Sequence, residues 1–129
     1  MKILGFDLGD GESAVALLDG DSTVEPRMVP LFGRASMLSA VGIRDGRVVV
    51  GEEASVLSGA QDVKVRFKSR YLTDPAASGD VRAFAQGVMA QLMRTEPALM
   101  AQVSRTVVGC PAGWGEGRRE QYAALLESA

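Results

Sequence analysis

Histidine is absent from the 129 residues of this chain, and with it goes a group of chemistries. A Ser-His-Asp triad, a Cys-His pair and a histidine-ligated zinc site each need an imidazole. The single cysteine, Cys110, excludes an internal disulfide. It reads as a small core residue beside a strand end, in keeping with a reducing compartment. An excess of charge of either sign is missing too. With 14 basic and 16 acidic residues the net charge is −2, which leaves no basic field for nucleic acid and no polybasic patch for a membrane. Long apolar runs are also lacking: Asp7 interrupts the N-terminal apolar residues before a signal-peptide core could form, and no later run approaches a membrane span. We therefore expect a cytoplasmic protein that engages neither nucleic acid nor membrane. Any chemistry must be carried by carboxylates, by lysine or arginine, and by the backbone.

What is present suits one domain or a large subdomain, since 47% of the residues are hydrophobic, enough to build a packed core. There is no repeat of fixed period and no low-complexity segment. The chain stops at Ala129 inside a helical pattern, with neither a glycine C-cap nor a polar tail, so we expect a piece of something longer.

The rest is organised around Lys2 to Leu18, KILGFDLGDGESAVALL, which reads as strand, acidic glycine loop, strand. Gly9 and Gly11 flank Asp10 in a turn where positive φ is expected, and Asp7 stands at the mouth of the hairpin. Such a loop lets backbone N–H groups approach phosphate oxygens, and a carboxylate beside it can hold Mg²⁺ through retained water. The same residues also suit an ordinary tight hairpin whose Asp and Gly only bend the chain.

Asp19-Gly20-Asp21-Ser22 makes a second turn, and Thr23 to Val29 reads as a third strand interrupted by Pro26, so an antiparallel meander opens the chain. Pro30 and Gly33 start a loop. Ser36 to Ile43 is strand-like, Asp45-Gly46 is a type I′ turn signal, and Arg47 to Val50 returns as the partner strand. Glu52 to Leu57 reads as a short helix closed by Ser58-Gly59. Val63, Val65 and Phe67 alternate with charged residues as a half-exposed strand would, while the segment through Leu72 is also open to helix. Asp74-Pro75 and Ser78-Gly79-Asp80 read as a loop, with Ser78 or Asp80 able to cap the next helix. Val81, Phe84, Ala85, Val88, Met89, Leu92 and Met93 recur at helical spacing, and the methionines read as core filler. Pro97 breaks that helix, Ala98 to Val103 adds a turn or two, and Thr106 to Gly109 is a short strand. A glycine-rich turn follows, and then a helix from Glu116 to Ser128 on which Arg119, Tyr122, Leu125 and Leu126 define two faces. The order of elements is an α/β pattern.

Two common nucleotide motifs fail. Gly9, Gly11 and Ala14 fit G-x-G-x-x-A, but Ser13 to Leu18 is too short to be the helix which that fingerprint needs. No Walker-type P-loop run exists. The remaining reading is an acidic glycine hairpin that clamps Mg²⁺ and nucleotide phosphates, and on it FDLGDGESAVALLDG resembles the first phosphate loop of the actin-like ATPase superfamily. Val49-Val50-Gly51-Glu52-Glu53-Ala54 resembles the strand and helix start carried in the upper lobe by the seventy-kilodalton heat-shock chaperones of that superfamily. Val107 to Arg119, VVGCPAGWGEGRR, is similar to their strand, Pro-Ala-aromatic turn and acidic helix start ending in Arg.

The resemblance spans Met1 to Ala129 and covers the first quarter to third of a family ATPase module. It implies a ribonuclease-H-like α/β fold with a mixed sheet, in which 1–30 and 104–129 belong to the core lobe and 31–103 to an inserted upper subdomain with its connecting helix. The opening strand is then expected beside the one ending at Gly109. By resemblance Asp7 orients hydrated Mg²⁺, the loop Gly9, Asp10, Gly11, Glu12 and Ser13 holds the phosphates of ATP or ADP, and Pro111 and Arg119 relay nucleotide state between lobes. FKSRYL resembles the family's Phe-x-x-Lys-Arg-Leu, which puts Arg70 at the phosphate-touching lysine position with Lys68 the nearer lysine; the choice between them is open. Structural alternatives are a strand end for Pro111, a surface ion pair for Arg119, and solvated charges on an exposed strand face for Lys68 and Arg70. Asp10 and Gly11 depart from the family, which usually carries hydroxyl residues there, and a second carboxylate beside phosphate weakens binding unless a cation offsets it. The complete protein is expected to hydrolyse ATP, and this portion alone to do so little or not at all. Peptide clients or co-chaperones would engage regions outside it. A degenerate nucleotide-binding scaffold and a sugar or metabolite kinase are the other functions the first loop allows, the stretch from Pro111 to Arg119 counting against the kinase.

Overall fold

Leu4, Phe6 and Leu8 are buried on one side of strand β1 (Lys2–Leu8), which pins its register, because a slip of one residue would turn all three to solvent. The computed structural model describes residues 1–19, 25–56, 63–74, 77–110 and 113–129. Strand β2 (Glu12–Asp19) returns antiparallel to β1, with Val15 opposite Phe6 and Ala14 opposite Asp7. Along the outer edge of β2 lie two short strands, β3 (Arg27–Val29) beside Val15 to Leu17 and β4 (Met37–Leu38) beside Glu12 and Ser13. On the other side of β1, β8 (Val103–Val108) runs parallel to it. The sheet is therefore mixed, in the order β3-β2-β1-β8 with β4 also on β2.

A second, antiparallel sheet in the order β6-β5-β7 is built from β5 (Ala40–Arg44), β6 (Arg47–Val50) and β7 (Val63–Val65). Its hairpin turns at Asp45 (φ 51°) and Gly46 (φ 76°), both left-handed as a type I′ turn requires. Helix α1 (Glu52–Ser55) follows β6, and α2 (Phe67–Thr73) follows β7 after Arg66 turns the chain at φ 52°. The long helix α3 (Ser78–Thr95) packs on β5, β6 and α2, continues into α4 (Pro97–Gln102), and meets α5 (Glu116–Glu127). Val81, Phe84, Val88 and Leu92 of α3 join Leu4, Phe6 and Leu8 in one hydrophobic cluster, with Phe67 and Phe84 rings 5.2 Å apart. Among the described residues no helix is long and apolar enough to cross a membrane.

The α/β order expected from sequence is present, with these differences. The expected single strand from Ser36 to Ile43 is two, split at Ser39, because the Ser39 N–H bonds to the Gly11 carbonyl at 2.9 Å and takes the chain from one sheet to the other. The segment through Leu72 is helical from Phe67, so Lys68 and Arg70 lie on a helix and not on an exposed strand. Ser78, Gly79 and Asp80 form the first turn of α3 instead of a loop, and neither Ser78 nor Asp80 caps it: the N-cap is Ala77, without a side-chain bond. Met93 is 57% exposed, so it is not core filler, whereas Met37 is fully buried. Cys110 is exposed, not a core residue. Gly9 and Gly11 lack the expected positive φ; among the described residues Gly33, Gly46 and Gly51 have it. The third strand covers only Arg27–Val29, and the turn at 20–22 and the helix stop at 58–59 lie outside the described residues.

Candidate functional site

Strand alternation decides what stands at the mouth of the first hairpin. With Phe6 and Leu8 turned to the core, Asp7 between them faces the other side and is exposed. Its carboxylate makes no hydrogen bond or ion pair among the described residues. Gly9 is required at the tip by space, since a Cβ there would run into the Glu12 carbonyl oxygen, while Gly11 has open space around it. Below the tip the Ser13 and Ser39 hydroxyls share a hydrogen bond of 2.7 Å, both buried. Ser13 therefore anchors the turn to the crossover between the sheets, and Glu12 beside it is exposed.

Helix α2 supplies the facing wall. The Lys68 ammonium donates to the Leu8 carbonyl and sits 5.9 Å from the centre of the Tyr122 ring. Burial pushes the Lys68 ammonium below its usual value, and the negative charges of Asp7, Cys110 and Asp10 oppose that shift. With three N–H donors and one used by Leu8, the ammonium keeps two for an anion at the mouth. One residue on, the Ser69 N–H donates to Asp10 Oδ1 at 3.1 Å. The side chain of Asp10 thus does for α2 what no residue of α2 itself does, accepting an amide of its first turn.

The structure brings Asp7, the Gly9 to Gly11 tip and Lys68 together and takes Arg70 elsewhere. Arg70 donates to the Val65 carbonyl at 3.3 Å and to Asp80 at 3.2 Å. Arg119 is exposed in the first turn of α5, and its proposed partner Pro111 lies outside the described residues. What the sequence reading missed is the aromatic floor. The single tryptophan and both tyrosines of the chain meet there. Trp114 lies edge-on to Tyr122 at 5.0 Å, and Tyr71 is 5.9 Å from Trp114 and 5.7 Å from Tyr122. Arg118 covers the Trp114 ring at 5.4 Å and donates to the Tyr71 carbonyl. No local pattern in the sequence announced it, because Tyr71 comes from a segment far from Trp114 and Tyr122 in the chain.

A metal at this mouth would have little first-hand protein coordination. Among the described residues there is no group of three or more Cys, Asp or Glu side chains placed to hold an ion. The exposed, unpaired Asp7 carboxylate does suit Mg²⁺, which keeps most of its waters and needs one or two carboxylates beside phosphate oxygens. No protein-family model matches the chain.

Proposed function

We propose that this chain is the N-terminal portion of an actin-like ATPase of the heat-shock chaperone type, and that its hairpin mouth binds the phosphates of Mg-ATP. In that reading the fold is ribonuclease-H-like, with 1–30 and 104–129 in the core lobe and 31–103 inserted as an upper subdomain. The observation that carries it is the Lys68 ammonium held on the Leu8 carbonyl at the mouth where the exposed Asp7 carboxylate stands, near enough for Asp7 to favour its charged form. The mixed sheet, with β1 parallel to the strand that precedes α5, supports the same reading.

Bound Mg²⁺ would supply neutralisation of phosphate charge. Asp7 would orient it through its waters, and Lys68, held by Leu8, would place its remaining donors toward phosphate oxygens. Electrostatic positioning of this kind is most of what phosphoryl transfer asks of a protein. Asp10, whose second negative charge argued for a degenerate scaffold, has its carboxylate on the Ser69 amide, and that contact offsets part of its repulsion of phosphate. Of Lys68 and Arg70, between which the resemblance left the choice open, Lys68 takes the phosphate-facing role in this reading.

Calorimetry of the complete protein with Mg-ATP tests this. Wild type should bind and Asp7→Asn should bind at least about tenfold more weakly, the loss of one charged contact. Equal affinities, or no binding by either, would overturn the assignment.

A further inference from the structure

A second concavity lies on the opposite side of the sheet. Phe6 and Asp7 are neighbours on one strand and so project to opposite faces; Asp7 faces the hairpin mouth, and Phe6 lines a cavity of about 590 Å³ between β8, α3 and α5. Volumes of this order hold small ligands in other proteins, about 300–1,000 Å³. The walls are largely apolar, with Met89 of α3, Val108 of β8, and Tyr122 and Leu126 of α5. Five lining residues carry polar side chains: Thr106, Cys110, Arg119, Tyr122 and Glu127.

The charges are arranged by the helix. Arg119 and Glu127 both belong to α5, and a rise of about 1.5 Å per residue separates them by about 12 Å, too far to pair. Among the described residues Arg119 makes no side-chain hydrogen bond and no ion pair. An apolar trough therefore has an unpaired guanidinium at one end and a carboxylate at the other. A multiply charged anion would meet Glu127, and a purely apolar molecule would leave Arg119 unused.

We propose that this cavity binds an amphiphilic monocarboxylate, its carboxylate on the Arg119 guanidinium and its apolar body along Met89, Val108 and Leu126. The guanidinium fork suits a carboxylate bidentately, and the body gains by leaving water. The cavity shares Tyr122 with the aromatic floor beside Lys68, while its guanidinium, Arg119, belongs to neither the hairpin nor α2.

Cys110 offers a direct readout, being the single cysteine, exposed, and part of the cavity wall. The protein is titrated with octanoate, octanol and octylammonium, following both heat and the rate at which Cys110 reacts with a disulfide reagent. Octanoate should bind tightest and slow the thiol reaction, and each added methylene should tighten binding by roughly three- to fourfold. Arg119→Gln should weaken octanoate by about tenfold, and Arg119→Lys, which keeps the charge without the bidentate fork, should fall between wild type and Arg119→Gln. The proposal is overturned if octanoate does not bind, if it binds Arg119→Gln as well as wild type, or if octylammonium binds more tightly than octanoate.

Discussion

Two carboxylates three residues apart on the opening hairpin have different fates. Asp7 is left to solvent and to whatever occupies the mouth, while Asp10 is drawn to the backbone of α2. The difference is geometric: Asp7 is fixed by strand alternation, whereas Asp10 sits on the tip and can reach across to Ser69. Replacing Asp10 by Ala should therefore cost stability of about 1 kcal/mol, the usual loss for a removed helix cap. Urea unfolding measures it, as a lower midpoint at unchanged slope. Removing Asp10 also takes away one of the charges that help keep Lys68 protonated. At this scale sequence carried the exposure of Asp7 but misplaced Cys110 and Met93, since whether a single side chain is covered depends on elements far away in the chain.

At the scale of elements, α3 lies tight against the second sheet. Gly87 lies where a Cβ would overlap the Val50 side chain of β6, and Val50 is itself buried. An alanine in mid-helix should gain about 1 kcal/mol of propensity over glycine, but overpacking of a branched side chain that cannot swing away costs about 1–3 kcal/mol. We expect Gly87→Ala to be destabilising on balance and the loss to shrink when Val50→Ala is made beside it. A double-mutant cycle of unfolding free energies checks this; a cost independent of Val50 would show that the contact does not matter. The long periodic helix and the Asp45-Gly46 hairpin were legible because 3.6- and 2-residue patterns and a type I′ turn are local properties. The α2 segment was not, since its alternation suits a strand and only the packing of Phe67 on Phe84, with the amide taken by Asp10, settles it as helix.

At the scale of the whole molecule, two buried polar atoms of the aromatic floor lack partners among the described residues, Trp114 Nε1 and the Tyr122 hydroxyl. Burial first, and then Tyr71 and Cys110, push the Tyr122 phenol above its ordinary 10.0. Above that value the unfolded chain gives up the phenolic proton while the folded chain keeps it, so the folded state loses stability as pH rises. Lys68 acts the other way in a lower window. Its folded value lies below 10.5, so between the two the unfolded state binds more protons and stability rises with pH until both states have lost the proton. Tyr122→Phe should be neutral or up to about 1 kcal/mol more stable near neutrality, since it removes an unpaired hydroxyl. Its advantage over wild type should widen above pH 10, where the unfolded phenol ionises and the folded one does not, the Lys68 contribution being common to both proteins. Chemical denaturation of both proteins across the alkaline range reads this directly; a constant difference would refute it.

By itself the sequence determined the hairpin at the N-terminus, the α/β order, the helix carrying Phe84 and Val88, and the candidacy of Asp7, because periodicity, turn chemistry and alternation act over a few residues. The pairing of β1 with β8, about a hundred residues later, was expected only through the family resemblance, and only the tertiary structure decided that Lys68 rather than Arg70 reaches the hairpin and that Asp10 caps a helix. Each of these depends on the energy of contacts between segments distant in the chain, where burial, competing charges such as Asp80 and the closing of the core outweigh local preference.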